Sequence, residues 1–205
     1  MSNSMQLNKY SKEFKKFGTT MISPKDSFIS NKDFKIIEKN LHRIKRENVK
    51  IGDAGEKNSV HVARLMTDVK KPKIVNQKYS KKVLDILNKN YLSEFKSFLN
   101  KKKLFIRRAQ VNYMGKEQFV GLHLDKDSNP DYLVAIVIQL GNKFKGGGYK
   151  VYRSKKRKKI FNPKYQSLII SDCNIPHEVL KVKSGRRVSF VFFLSENFSL
   201  NKRKN

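Results

Sequence analysis

The residue periodicity of the chain changes near Asn100, and this change limits the folds that are open to it. The second half is a series of short runs, rich in β-branched and aromatic residues and separated by clusters of Gly, Pro, Asn or Lys. Such runs are typical of β-strands, and several within about a hundred residues predict an antiparallel sandwich or barrel. The runs are LFIRRAQVNY, FVGLHLD, YLVAIVIQL, YKVYR, SLIIS, PHEVLKV and RRVSFVFFL.

The first half of the chain shows helical periodicity instead. Residues 31–50 place apolar side chains at helical spacing behind a capping residue, either Ser30 or Asn31. A second amphipathic helix is predicted from the cap Ser80 to Asn100. Residues 1–30 lack a sustained period, and we expect them to form a loosely ordered lead-in.

These patterns predict a mainly β protein with flanking helices, of the α+β class. We expect residues 1–100 to form an N-terminal lead-in and helical support, residues 101–199 to form the β core, and residues 200–205 to form a short basic tail. The helices would pack on the outer face of the β structure, because each amphipathic helix must bury its apolar side against another element.

The strong positive charge of the chain does not identify a partner by itself. The sequence has 46 Lys and Arg residues against 17 Asp and Glu residues, a formal net charge of +29. The excess is nearly all lysine and comes with many asparagines and isoleucines, which is typical of a compositional bias. Lysine also makes nonspecific contacts with phosphate groups. A solvated basic surface and an anionic partner therefore both remain open.

Cysteine content and hydrophobicity indicate the compartment. Cys173 is the only cysteine, which excludes an internal disulfide framework and a cysteine-based zinc site. No run reaches the roughly 18 consecutive apolar residues of a membrane span, and the amino terminus lacks the apolar region of a secretory signal. We therefore expect a cytoplasmic protein without membrane contact. The sequence does not predict an oligomeric state.

A histidine and two further side chains form a candidate metal site. His123 and Asp125 lie two positions apart in a predicted strand, so both side chains point to the same face. The third candidate is His177, which follows an apolar strand and a turn 52 residues after Asp125. Two histidines and one carboxylate form the facial triad that holds non-haem Fe(II) for oxygen chemistry.

An arginine in the last predicted strand indicates an anionic ligand. Arg187 lies ten residues after His177, and the period of two places it on one face with Ser189. An unpaired buried charge is costly, so an arginine that faces a β core needs an anion. A dicarboxylate cosubstrate would supply one, with the guanidinium of Arg187 and the hydroxyl of Ser189 both contacting its carboxylate.

Four segments together resemble the 2-oxoglutarate and Fe(II)-dependent oxygenase superfamily, most closely its prolyl-4-hydroxylase-like branch. The segments are HLD at 123–125, the histidine at 177, SGRRVS at 184–189 and VNYMG at 111–115. The resemblance covers about residues 104–195, and it is specific because order, spacing and strand context agree.

The resemblance implies a double-stranded β-helix, or jelly-roll, core that uses Fe(II), 2-oxoglutarate and O2, with ascorbate as a candidate reductant. It implies that His123, Asp125 and His177 bind the iron and carry catalysis. It also implies that Arg187 and Ser189 hold the distal carboxylate of 2-oxoglutarate.

Further residues match places that contact ligands in this family. Tyr113, ten residues before His123, stands where family members often contact the cosubstrate. Residues 146–148 resemble the family's Gly-Gly turn, and glycine there would serve tight turn geometry. Lys150 and Tyr152, on the strand after this turn, are candidate substrate contacts.

The expected reaction is hydroxylation of an amino-acid or peptidyl side chain, or of a small metabolite, with release of succinate and CO2. The carboxylate of Asp125 disfavours halogenation, since iron-dependent halogenases of this superfamily have a small residue there. Phe193, six residues after Arg187, disfavours the nucleic-acid demethylases, which carry a second arginine at that spacing. Arg187 itself disfavours the collagen-type prolyl hydroxylases, which commonly use lysine. The substrate stays open, and a basic rim would favour an acidic one.

Two functions of other kinds remain open. One is a basic nucleic-acid-binding module on a catalytically silent oxygenase-like β-fold, whose salt-dependent binding would survive loss of the three metal ligands. The other is a cupin-like metal protein that performs isomerase or lyase chemistry. The sequence disfavours the first, because a decayed site would have little reason to retain both the triad and a buried arginine. Arg187 disfavours the second, because such sites need no dicarboxylate cosubstrate.

Overall fold

The structure is a computed structural model that describes residues 3–203, with side chains from residue 8 onwards. The helices are α1 (Asn3–Phe17), α2 (Asn31–Leu41), α3 (Gln77–Ile86), α4 (Leu92–Leu99) and α5 (Asp125–Ser128), with a 3-10 turn at Pro24–Asp26 and a π-helical segment, Leu87–Tyr91, between α3 and α4. The strands are β1 (Thr19–Ile22), β2 (Glu47–Ile51), β3 (Lys57–Thr67), β4 (Lys73–Ile74), β5 (Phe105–Met114), β6 (Val120–His123), β7 (Val134–Gln139), β8 (Phe144–Gly146), β9 (Tyr149–Tyr152), β10 (Lys158–Phe161), β11 (Leu168–Asp172), β12 (His177–Val179), β13 (Val182–Gly185) and β14 (Arg187–Ser195).

The strands form a nearly closed antiparallel sheet. Its order is β1-β11-β7-β14-β5-β3-β6-β12-β9-β10, with β2 and β4 paired to β3, and β13 pairs separately with β8. The long strand β3 joins a larger layer to a smaller one, because it pairs with β5 along most of its length and with β6 at Asn58. The predicted mainly β fold with supporting helices, a double-stranded β-helix core, is confirmed.

Strand β14 separates the two cores of the protein. Its alternate residues Phe190 and Phe192 face the helices, where they pack with buried residues of α2, α3 and α4. The intervening residues Val191 and Phe193 face the interior between the sheet layers. This alternation agrees with the period of two in the sequence, so one strand supports both the helical layer and the inner pocket.

The helices cover the outer face of the larger layer. In α2, Ser30 caps the helix by accepting a hydrogen bond from the amide of Asp33 at 3.1 Å. The ring of Phe95 on α4 meets the ring of Phe192 edge to face, with 5.7 Å between centroids. Among residues 3–203, no helix is both long enough and apolar enough to cross a lipid bilayer.

The amino-terminal third contains more regular structure than the sequence indicated. Within the predicted lead-in, residues 3–22 contribute α1 and β1, and residues 1 and 2 lie outside the described residues. The first predicted helix ends at Leu41, and residues 47–51 form β2 instead. The strands β1, β2 and β3 were missed because backbone hydrogen bonds to neighbouring strands stabilise them, which side-chain periodicity does not reveal.

The domain limits at residues 100 and 199 stay predictions. The sheet does, however, include β1–β4 from the first hundred residues, so this part supplies more than helical support. The predicted basic tail is described as far as Arg203, and residues 204 and 205 lie outside the described residues.

Replacement of Phe192 by alanine should destabilise the protein strongly. Its side chain is fully buried between the sheet and α4, so truncation leaves a cavity. We expect the free energy of unfolding in urea to fall by about 3–5 kcal/mol. Phe198→Ala is the matched control, because Phe198 is 51% exposed, and it should cost less than about 1 kcal/mol. Equal losses in the two variants would contradict the assigned core.

Candidate metal centre and anion pocket

The pairing of β6 with β12 brings two histidines face to face. His123 and His177 are register partners in this antiparallel pair, and their ring centroids lie 4.3 Å apart. Asp125 begins the short helix α5 directly after Leu124, which is still extended. Its carboxylate therefore projects beside the two imidazoles, although Asp125 is not itself in the strand as the sequence suggested.

Both imidazoles present the same nitrogen to the carboxylate. The Nδ1 atom of His123 lies 2.8 Å from the carbonyl oxygen of Gly121, and that of His177 lies 2.9 Å from the carbonyl oxygen of Ile175. A carbonyl can only accept, so Nδ1 carries a proton in each ring, and Nε2 offers its lone pair to a metal when the ring is neutral. Backbone anchoring of this kind orients histidines that bind metals.

The three ligand atoms are spaced for one metal ion. The Nε2 atoms of His123 and His177 lie 3.4 Å and 3.7 Å from the carboxylate oxygens of Asp125, and the three ligand atoms lie within 4.8 Å of one another. Bonds of about 2.0–2.2 Å, as in zinc sites, put neighbouring ligands roughly 3 Å apart. The set of two imidazoles and one carboxylate suits non-haem iron, so the residues fit the metal that the sequence predicted.

Burial and mutual charge set the protonation of these groups. Burial lowers the pKa of His177 and so favours the neutral imidazole. Burial raises the pKa of Asp125, but the charges of His177 and His123 outweigh it and hold that pKa below its ordinary value. Burial alone would lower the pKa of His123, yet the neighbouring Asp125 raises it to about 9. His123 would therefore release a proton on binding a metal.

Arg187 points into the same pocket, and no acidic side chain of residues 8–203 pairs with it. Its side chain is buried, Nη1 donates to the hydroxyl of Ser189 at 3.0 Å, and Nε and Nη2 have no hydrogen-bond partner in the described part of the chain. Burial lowers the pKa of Arg187 to about 10. A buried guanidinium with two free donors is a site for an anion, since leaving it unpaired is costly.

A glycine makes room for this arginine. Gly147 has a φ of +64° and leads from β8 towards β9, and a Cβ atom there would lie 2.8 Å from Cδ of Arg187. Any larger residue would be strained and would collide with the arginine stem. The glycine run at 146–148 thus serves both the turn and the space beside Arg187.

The structure adds Tyr149, which the sequence analysis missed. Its ring stacks on that of His177, with centroids 4.9 Å apart, and it lines the same pocket as Arg187. The hydroxyl is buried and has no hydrogen-bond partner among the described residues, and burial raises its pKa well above the ordinary value. The alternation of Tyr149 and Val151 with lysine and a second tyrosine in β9 was the available signal.

Three other predicted contacts face away from the pocket. The hydroxyl of Tyr113 donates to the carbonyl of Leu41 at 3.3 Å, and the ring belongs to the core beneath the helices. The expected cosubstrate contact of Tyr113 is therefore corrected, because the strand period turns its neighbours Asn112 and Met114 inward instead. Lys150 and Tyr152 both pair with Glu178 and do not line the pocket.

The other end of the pocket carries polar groups that the sequence did not single out. On β5, Arg108 donates to Gln110, and Gln110 donates to Asn112 at 2.9 Å, so a row of hydrogen bonds follows the inner face. Arg64 of β3 lines the same side. Their alternation with Ala109, Val111 and Tyr113 in β5 was visible in the sequence.

Comparison with known proteins identifies relatives of this chain. Residues 109–195 match the model of the 2OG-Fe(II) oxygenase superfamily. An oxidoreductase of the 2OG-Fe(II) oxygenase family from Burkholderia pseudomallei is 32% identical, with a TM-score of 0.88 over 97% of this chain and 94% of that chain. No curated protein sequence gave a significant match.

Two more distant structures share the fold. A Trichoplax adhaerens prolyl hydroxylase, in complex with a peptide of the hypoxia inducible factor oxygen degradation domain, is 13% identical and has a TM-score of 0.65. The match covers 95% of this chain and 90% of the prolyl hydroxylase chain. HygX from Streptomyces hygroscopicus, with nickel and 2-oxoglutarate bound, is 10% identical and has a TM-score of 0.63 over 93% of this chain and 87% of its own.

Replacement of Arg187 by methionine should not destabilise the ligand-free protein. It removes a buried charge without an acidic partner, so we expect the free energy of unfolding to stay equal or to rise by about 1–3 kcal/mol.

Arg107→Met is the matched control for this measurement. Arg107 is also fully buried, but its Nε lies 3.0 Å from Asp68, and its removal would leave that carboxylate buried and unpaired. The control should lose about 3–5 kcal/mol in urea unfolding. A loss of the same size in Arg187→Met would show that Arg187 has a partner within the protein.

Proposed function

Because the chain belongs to the 2OG-Fe(II) oxygenase superfamily, we propose that it hydroxylates an amino-acid side chain, a peptidyl side chain or a small metabolite, with release of succinate and CO2. The family uses Fe(II), 2-oxoglutarate and O2. The proposal rests mainly on one observation. His123, Asp125 and His177 converge in one pocket with Arg187, which has no acidic partner in the described part of the chain.

Each of these side chains has a role in the proposal. The Nε2 atoms of His123 and His177 and the carboxylate of Asp125 would hold Fe(II), and the guanidinium of Arg187 with the hydroxyl of Ser189 would hold the distal carboxylate of 2-oxoglutarate. The bound iron and cosubstrate supply the oxidising power of the reaction. The protein positions the ligands, keeps the imidazoles in one tautomer through backbone carbonyls and surrounds the centre with apolar residues.

Tyr149 is a further cosubstrate contact in this proposal. Its hydroxyl is buried in the pocket, no described residue accepts or donates a hydrogen bond to it, and its raised pKa keeps it protonated as a donor. A carboxylate near Arg187 would accept this hydrogen bond. The tyrosine would then contribute to cosubstrate affinity in place of Tyr113.

The relatives leave the substrate open between peptides and small molecules. One structural neighbour is a prolyl hydroxylase with a bound peptide, and its low identity carries only the fold to this chain. The alternative of a silent nucleic-acid-binding module gains no support from these comparisons, which match oxygenases. Hydroxylation rather than halogenation follows from the carboxylate of Asp125, which would fill the position that halide needs.

The direct test is succinate release with Fe(II), 2-oxoglutarate and air, combined with calorimetric titration of Mn(II) and 2-oxoglutarate without oxygen. His123→Ala should lose metal binding and at least about 100-fold of the succinate release, since removal of a ligand opens the triad. His61→Ala is the control, because His61 is exposed on β3 and outside the pocket. Metal binding that survives in His123→Ala would contradict the proposed ligand set.

The role of Tyr149 is tested by Tyr149→Phe. Loss of one hydrogen bond to a carboxylate should raise the dissociation constant of 2-oxoglutarate about 10- to 100-fold and leave Mn(II) affinity unchanged. Tyr152→Phe is the matched control, because that hydroxyl contacts Glu178 outside the pocket. An unchanged 2-oxoglutarate affinity in Tyr149→Phe would remove Tyr149 from the cosubstrate site.

A further inference from the structure

Neighbouring arginines on β5 have different surroundings. Arg107 is buried away from the pocket, where it contacts Asp68 and two backbone carbonyls of the C-terminal segment. Arg108 faces the pocket, and its side chain is only 12% exposed. Its Nε and Nη2 donate to the side-chain oxygen of Gln110 at 3.1 Å and 2.8 Å, and its Nη1 donates to Asp53. The carboxylate of Asp53 therefore neutralises the guanidinium of Arg108, which the pocket encloses.

Arg108 lies at the end of the pocket opposite Arg187. On the shared strand pair, Arg187 stands opposite Met114, whereas Arg108 stands opposite Phe193, six residues further along β14. At about 3.3 Å per residue the two arginines are roughly 20 Å apart along the strand. Arg108 therefore cannot bind the same carboxylate as Arg187, and the pocket has a second cationic end.

This second cation lies near the metal ligands. Arg108 lines the same pocket as His123, Asp125 and His177. A guanidinium enclosed near a divalent metal ion is repelled by it, so an anion is needed between or beside the two charges. A ligand at Arg108 would therefore lie in the same pocket as the metal centre, at the end away from Arg187.

The carboxylate that meets Arg108 comes from an exposed turn. Asp53 lies between Gly52 and Gly55 in the β2–β3 connection, its side chain is 37% exposed, and Gly55 has a φ of +81°. Burial raises the pKa of Asp53, but the charges of Arg108, Arg64 and Arg203 outweigh it. The turn thus supplies the carboxylate that pairs with Arg108, while Arg64 pairs with Glu47 of β2.

We propose that Arg108, with Arg64 on the adjacent strand, binds a carboxylate group of the organic substrate. In the absence of substrate, the carboxylate of Asp53 pairs with Arg108 in its place. The inference rests on the proposed function and narrows its substrate to carboxylate-bearing molecules. The register places Arg64 opposite Gln110, next to Arg108 on the same inner face. Arg64 also pairs with the exposed Glu47, so a substrate carboxylate would compete with Glu47 for Arg64 as it competes with Asp53 for Arg108. A substrate carboxylate fixed there would direct the rest of the molecule towards the triad.

The experiment measures a second carboxylate site while the first is filled. The protein is saturated with redox-inert Mn(II) and 2-oxoglutarate without oxygen, and a panel of monocarboxylates is titrated by calorimetry beside the matching primary carboxamides. We expect members of the carboxylate panel to bind, and their amides to bind at least about 10-fold more weakly, because the amide lacks the charge.

Two variants with opposite expected effects separate recognition from folding. Arg108→Gln should weaken carboxylate binding about 10- to 100-fold while the dissociation constant of 2-oxoglutarate stays unchanged. Asp53→Asn should strengthen carboxylate binding, because it removes the competing internal anion. Arg153→Gln is the matched control, since Arg153 is exposed and does not line the pocket, and it should have no effect.

The results distinguish this inference from the proposed function. Normal 2-oxoglutarate binding, together with equal binding of acids and amides or unchanged carboxylate binding in Arg108→Gln, would overturn the carboxylate site alone. Absence of carboxylate binding even in Asp53→Asn would overturn it as well. Failure of 2-oxoglutarate itself to bind would instead contradict the proposed oxygenase function.

Discussion

The antiparallel pairing of β6 with β12 fixes the separation of His123 and His177, and the site depends on this register. The same pairing leaves the carbonyls of Gly121 and Ile175 free to hold the two imidazoles by Nδ1. Strand β9 lies on the other side of β12 and stacks Tyr149 on His177. Backbone hydrogen bonds of the smaller layer therefore determine both the spacing and the tautomer of the candidate metal ligands.

The larger layer provides the opposite wall and the charges. Strands β14 and β5 use one face to pack against the helices and the other to line the pocket, so the stability of the helical layer and the geometry of the pocket are coupled. Their inner faces carry Arg187 at one end and Arg108 at the other. The candidate metal ligands line the same pocket as these two enclosed guanidiniums. Two guanidiniums this far apart suit two separate carboxylates rather than one.

The sequence singled out the triad, Arg187 and Ser189, which the structure brings into one pocket, because these residues lie in or beside runs with clear alternation. Their roles as ligands stay predictions. The errors at Tyr113 and at Lys150 and Tyr152 have one cause, since a shift of a single residue turns every side chain of a strand to the other face. Tyr113 follows Ala109 and Val111 at a spacing of two and therefore lies with them on the helix-facing side of β5. Only the alternation of these residues with Arg108 and Gln110 could have shown this in the sequence.

Other features could not be read from the chain. The strands β1 and β3 form through pairing with distant segments, and Thr19 and Asn58 carry no local signal of their partners Ser171 and Val120. The encounter of Asp53 with Arg108 joins residues far apart in the chain and depends on the closed sheet. Tertiary pairing thus decides which of the many basic residues lines the pocket.

A crystal structure of the protein grown with Mn(II) and 2-oxoglutarate tests the central claim most directly. The account predicts one anomalous peak at about 2.0–2.2 Å from Nε2 of His123, Nε2 of His177 and the carboxylate of Asp125. It also predicts a cosubstrate carboxylate within hydrogen-bond distance of Arg187. A metal bound elsewhere, or an Arg187 that pairs with an acidic side chain of the protein, would contradict it.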